Sequence, residues 1–392
     1  MKVSKKIINL ETESAFSILA KANRLMSEGK DVINLGIGQP DFSTPLNIQE
    51  AAIKAIRDGK HGYTPSNGIL ELREAVSEHI YKDYNVSVDP DQILITPGGK
   101  PTIFYSSLIL GGKDNEIIYP DPGFPIYRST INFTGAKAVP LELLEKDNFE
   151  INIEKLESLI NDKTSLIIIN NPNNPSGSFM NRKKIDILVR MLEKYPDVFI
   201  LSDEIYSKII FEETKMPSLF NYESLKDRLI VLEGWSKTFC MTGWRLGWSF
   251  WPKKLFEHAN KLCVNDHSCP SSISQHAGIE ALKGPQNEVI KIISEFKKRK
   301  NFIHNKLNEL KNMSCFEPGG AFYAFPNVIK SGLDGNKFSD IALEEKGVAL
   351  VPGTSFGVSA KNFIRISYAN SMENIEKAIY RLSSIWKRSK QS

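Results

Sequence analysis

The sequence predicts an α/β protein in which a mostly parallel sheet lies between helices, with a smaller α+β unit built from both chain ends. Three observations carry this. Between about residues 47 and 285, short apolar runs alternate with segments of helical period. Those runs are β-branched and lack a polar face, as in strands buried on both sides. Beyond residue 287 the rhythm changes to a long helix followed by short strands.

The strands expected of the larger sheet are Gln92–Thr96, Asn115–Tyr119, Ser165–Asn170, Val198–Ser202, Leu229–Leu232 and Gly247–Phe250. The segment Asn287–Lys311, rich in Lys, Glu and Ile, reads as a long helix leading out of that domain. Strands are then expected at Phe322–Phe325, Val348–Val351 and Phe363–Ser367, closed by an amphipathic helix over Met372–Arg388. A helix around Ser14–Glu28 should pack with this second unit. The boundaries follow: residues 47–287 form the large domain, and residues 1–46 with 288–392 form the small one.

Composition excludes several classes. With 50 basic and 46 acidic residues spread along 392 positions, there is no concentrated basic face, which argues against nucleic acid as a partner. The basic run Lys297–Lys300 reads as a solvated helix face. Four cysteines form no CxxC pair and have no histidine at ligand spacing, so neither a metal site nor a disulfide framework is expected. No apolar run approaches a membrane span or a signal sequence, and the expected setting is the cytoplasm.

Within this frame, Gly234–Trp248, GWSKTFCMTGWRLGW, places Lys237 eight residues before Arg245 in a nearly uncharged, aromatic and glycine-rich setting. A lysine there, desolvated, becomes a nucleophilic amine able to form a Schiff base; the rival reading is a snorkelling surface lysine. Ile93–Thr96 runs into Pro97-Gly98-Gly99-Lys100 and then a helical pattern, so the loop is a phosphate seat or a plain turn. Asn170–Gly177, NNPNNPSG, ends a buried run and is rich in turn residues. Asp203 stands at the carboxyl end of another strand, where α/β ligand sites lie, and could equally cap a helix. Phe124 is open to a stacking role or to core packing. Arg365 alternates with apolar residues on a strand, either solvated or a fork for a carboxylate.

Taken together and in order, GIGQPDF (Gly36–Phe42), the Gly98–Gly99 loop, NNPNNPSG, SDEIY (Ser202–Tyr206), SKTFCMTGWRLG and the Arg365 strand resemble the motifs of the aspartate aminotransferase family, the class I/II aminotransferases of fold type I, along nearly the whole chain. The resemblance implies a seven-stranded-type sheet and pyridoxal 5'-phosphate as cofactor. It implies that Lys237 carries the cofactor, with Asp203 on the pyridine nitrogen and Tyr206, placed on the same helical face three residues later, beside Asn174 on the phenolic oxygen. Gly98, Gly99, Lys100, Ser236 and Arg245 would hold the phosphate, and Phe124 would stack on the ring. Tyr63, in GYTPSNG, would reach the phosphate of a neighbouring subunit, which implies a homodimer with shared sites. Gly38, Asn174 and Arg365 would bind the substrate carboxylate. Gly234 stands where the pattern often has a hydroxyl residue, which implies a phosphate cradle one side-chain hydrogen bond poorer.

The implied activity is ping-pong transfer of an amino group between an L-amino acid and a 2-oxo acid through the Lys237 Schiff base. Lys100 points to aspartate or glutamate as donor, whereas Glu13 adds a carboxylate that would not favour a dicarboxylic substrate. A β-elimination lyase on the same fold is the alternative. A regulator that keeps the cofactor as an effector would need a DNA-binding segment, for which there is no room before GIGQPDF.

Overall fold

The computed structural model of the protein describes residues 3–8, 10–211 and 215–386. Its larger sheet has seven strands: β2 (Ile93–Thr96), β3 (Glu116–Asp121), β4 (Lys137–Glu142), β5 (Thr164–Asn170), β6 (Phe199–Asp203), β7 (Leu229–Gly234) and β8 (Gly247–Phe250), in the order β2-β8-β7-β6-β5-β3-β4. Only β8 runs against its neighbours. All the other strands therefore point their carboxyl ends to one edge.

Burial explains why these runs are strands. Successive residues of β5 face opposite sides: Ile167 and Ile169 enter one apolar core, Leu166 and Ile168 another. Helices cover both faces, so neither side can be polar. At about 1.5–3 kcal/mol for each fully buried aliphatic side chain, the two cores fix the register firmly. The strand β4 was not expected from the sequence. It lies at the sheet edge, alternates buried Val139 and Leu141 with exposed residues, and carries Pro140, which an edge strand tolerates.

A separate set of strands comes from the chain ends. Ile33–Asn34 (β1) pairs in parallel with Val348–Ala349 (β10). Val351–Pro352 (β11), Ile364–Ser367 (β12) and Tyr323–Ala324 (β9) form an antiparallel sheet in the order β11-β12-β9. The expected strand Val348–Val351 is thus two short strands with different partners. Helices Ser14–Ser27 and Asn287–Glu309 stand where the pattern places them. The last helix is Met372–Leu382, shorter than expected: residues 383–386 have already left the helix, and the expected end at Arg388 lies outside the described residues.

The basic run at 297–300 is not a uniformly solvated face. Arg299 is buried, donates to Asp41 at 2.6 Å and stacks on Phe42, while buried Lys300 pairs with Glu317 at 2.7 Å. Asp41 and Phe42, the end of GIGQPDF, are therefore spent on anchoring that loop to the long helix. Among the described residues, no helix is long and apolar enough to cross a membrane.

Candidate active site

A cavity of about 630 Å³ opens between the carboxyl edge of the seven-stranded sheet and the smaller sheet, the place where α/β proteins hold ligands. It is lined by Gly38, Gly99, Lys100, Phe124, Asn174, Asp203, Tyr206, Ser236, Lys237, Arg245 and Arg365, so nearly every residue singled out from the sequence converges there. Two do not line it. Gly98 lies one layer behind, against the Arg245 guanidinium, and Tyr63 stands 94% exposed, away from the cavity of its own chain.

At one end, β2 stops at Thr96 and the chain turns through Gly98 (φ +86) into the helix Lys100–Leu110. Pro101 lacks an N–H and Thr102 N donates to Gly99 O (3.1 Å), but the N–H groups of Gly99 and Lys100 at this helix start remain for an anion. Arg245, itself left-handed at φ 52, folds back over the loop, donating to the carbonyls of Thr242 (2.7 Å) and Pro97 (3.2 Å). A Cβ on Gly98 would fall 2.2 Å from Arg245 Nη2, so glycine is what allows this approach. Gly247 backs the same loop, and a Cβ there would meet the carbonyl carbon of Gly98 at 2.6 Å. Gly234 is registered opposite Gly247 on β7, with a Cβ only 2.9 Å from the Cα of Gly247. The missing hydroxyl at 234 thus has a steric cause: the strand pair is too close for a side chain.

Opposite this loop, Asp203 ends β6. Residues 205–208 form a turn, not the helix anticipated from the sequence, and Asp203 Oδ1 accepts from Ile205 N (3.2 Å) within it. Its other oxygen accepts from Tyr127 Oη at 2.6 Å. Burial pushes this carboxyl up to about 6, opposed by those two donors and by the charge of Lys237. Lys237 Nζ donates to the Gly38 carbonyl at 2.6 Å. Burial, and then the charge of Arg365, hold its amine down to about 8, with Glu13 opposing.

The third corner belongs to Arg365 on β12. Its guanidinium is sandwiched between the rings of Tyr323 and Phe356, at 4.5 and 4.7 Å, and donates to Asn174 Oδ1 (2.9 Å) and Gly36 O (2.7 Å). Its Nε is buried and has no protein partner. A planar fork fixed in this way, with an unused donor, suits a carboxylate. Asn174 is held by its own loop, its N–H donating to Asn170 Oδ1 at 2.8 Å. Tyr206 Oη shares a 2.8 Å hydrogen bond with Tyr323 Oη. A Cβ on Gly38 would strike the Tyr323 hydroxyl at 2.2 Å, which accounts for the glycine facing the cavity.

Comparison with known proteins settles the class. The family model for aminotransferase class I and II matches residues 30–382. The chain is 35% identical to an aspartate aminotransferase of Bacillus subtilis, over 97% of this chain and 98% of that protein. It is 39% identical to a (5-formylfuran-3-yl)methyl phosphate transaminase of Methanocaldococcus jannaschii, over the same shares. The crystal structure of an aspartate aminotransferase from Rhizobium meliloti superposes with a TM-score of 0.93 at 30% identity, covering 98% of each chain. The chain belongs to the class I and II aminotransferases.

Enzymes of this class move amino groups with pyridoxal phosphate, and the donors facing the cavity match that group's chemistry. An anion seat of backbone N–H groups and Arg245, a buried carboxylate and a desolvated amine share one cavity. Four contributors escaped the sequence reading of this aminotransferase. Tyr127 stands three residues after Phe124 in PDPGFPIY (Pro120–Tyr127), with no signal in the chain that its hydroxyl meets Asp203. Tyr323 and Phe356 flank the arginine from distant segments, and Phe16 reaches the mouth from the N-terminal helix. Only contacts across the fold reveal them.

Proposed function

We propose that the cavity is the transamination site, with Lys237 the catalytic amine, and that it accepts an L-amino acid and a 2-oxo acid in turn. The observation that carries this reading is the pairing of a desolvated lysine amine with a buried carboxylate across one cavity that also holds two arginines. Bound pyridoxal phosphate supplies an aldehyde for that amine and an electron-accepting ring. Gly99 and Lys100 through their backbone N–H groups, with Ser236 and Arg245, seat the phosphate, Gly98 serves it by letting Arg245 approach, and Phe124 packs on the ring.

Asp203, held ionised by Tyr127 and the Ile205 N–H, keeps the ring nitrogen protonated. With its value at about 6, it is mostly charged at neutral pH. Tyr206 and Asn174 serve the phenolic oxygen; because Arg365 occupies Asn174 Oδ1, the amide nitrogen is the end left to donate. Arg365 takes the substrate carboxylate, with Gly38 beside it. Lys237, uncharged in a substantial fraction near its value of about 8, moves the proton at the substrate Cα.

Residues 47–287 then form the cofactor domain, and residues 1–46 with 288–392 form a small domain that carries Arg365 and Gly38. Substrate capture by Arg365 would draw the two together. Tyr63, exposed on its own chain, completes the phosphate seat of a second copy in a cytoplasmic homodimer. The test is Lys237→Ala. Turnover should fall on the order of a thousandfold or more, and the absorbance of the lysine-bound cofactor should be lost. Full turnover by that variant would refute the proposal.

A further inference from the structure

We propose that Glu13 sets the donor range of this site by occupying Lys100, so that a donor with a second carboxylate must displace Glu13 while one with an uncharged side chain need not. The inference rests on the transamination reading. Glu13 Oε1 lies 2.6 Å from Lys100 Nζ, and both residues line the cavity. The pair stands at the cavity mouth: the Lys100 side chain is 45% exposed, whereas that of Glu13 is 12% exposed, so the carboxylate is the buried member. Glu13 precedes the helix Ser14–Ser27 but makes no side-chain capping bond, so the carboxylate is not spent on that helix end. Its charge acts on both Lys237 and Tyr323, which places it inside the electrostatic reach of the reacting centre.

Charge accounting among the described lining residues sharpens this. The cations are Lys100, Lys237, Arg245 and Arg365. Lys237 is the reacting amine, Arg245 serves the phosphate and Arg365 the α-carboxylate. Lys100 is then the cation available to a distal carboxylate, and Glu13 already neutralises it. Around the pair the wall is aromatic: Lys100 Nζ stands 5.4 Å from the Phe16 ring centroid and 5.8 Å from that of Phe124, with Phe356 across the cavity. An aromatic or aliphatic side chain can pack there with the ion pair intact. A dicarboxylate meets like charge until Glu13 leaves.

A double-mutant cycle on the holoenzyme tests this, with glutamate and phenylalanine as donors and succinate as a non-reacting dicarboxylate read by calorimetry. Glu13→Gln keeps the shape and removes the charge; Glu13→Ser repeats the test should that variant fold poorly. We expect the glutamate-to-phenylalanine ratio of kcat/KM to rise, and the succinate dissociation constant to fall, each by about tenfold. Both gains should vanish in a Lys100→Gln background. A ratio that does not move, or one that rises equally without Lys100, overturns the proposal. Failure of the transamination reading would look different: neither donor would react with the wild-type enzyme, while the succinate arm would still report on the pair.

Discussion

Tyr127→Phe offers the most discriminating perturbation of the site, because it removes one oxygen and nothing else. The Tyr127 ring is fully buried and its packing survives the change, but Asp203 Oδ2 loses its 2.6 Å donor. Burial already holds Asp203 up at about 6, and the Tyr127 hydroxyl is the largest influence opposing that rise. A hydrogen bond to a charged group contributes about 1.5–3 kcal/mol, and one pKa unit is about 1.36 kcal/mol. Asp203 in the variant should therefore titrate about one to two units higher. The direction matters: a raised carboxyl is protonated, and useless to a ring cation, over more of the neutral range. At pH 7 the ionised fraction should fall from roughly nine-tenths to between a half and a tenth. The assay is binding of pyridoxamine phosphate to the apo protein across pH 5.5–8.5, since that form makes no covalent bond to Lys237. Affinity should fall below about pH 6 in the wild type and below about pH 7–8 in the variant, with a two- to tenfold loss at pH 7. Superimposable profiles, or a shift to lower pH, would refute the assignment of Asp203 to the ring nitrogen.

Two further outcomes follow from the same geometry. Arg365→Lys keeps the charge but loses the fork held between Tyr323 and Phe356, so KM for amino acid donors should rise on the order of a hundredfold with a smaller change in kcat; steady-state kinetics decides it. Gly234→Ser, which restores the hydroxyl, should not tighten the cofactor, because its Cβ meets Gly247 Cα at 2.9 Å; instead it should cost about 1–3 kcal/mol of stability, read by thermal unfolding of the apo protein.

Much of the site was legible in the sequence because its motifs sit at strand ends, where chain order and spatial order coincide. Asp203 ends β6, and Asn174 and Lys237 follow β5 and β7, which are its neighbours in the sheet. What escaped depends on contacts that no spacing encodes. Residues 205–208 could not be recognised as a turn, because the bond from Ile205 N to Asp203 competes with a helix start that the local residues would also permit. Arg299 and Lys300 look like surface charges until Asp41 arrives from the other end of the chain and Glu317 from beyond the end of the long helix. Edge strand β4 was hidden by Pro140, a residue that counts against a strand everywhere except at an edge.

Taken as a set, the features that make this cavity reactive are unfavourable to the protein alone. Asp203 is an anion without a cation in hydrogen-bonding contact. Lys237 is an amine whose charge is disfavoured, and Arg365 Nε is a buried donor without an acceptor. Arg245, a non-glycine residue, holds left-handed backbone beside the Gly98 loop. Under the proposed assignment each would be relieved by a different part of the same ligands: a ring cation for Asp203, an aldehyde for Lys237, an α-carboxylate for Arg365 and a phosphate for the loop. Among the described residues that line the cavity, the cation paired with a carboxylate is Lys100, by Glu13.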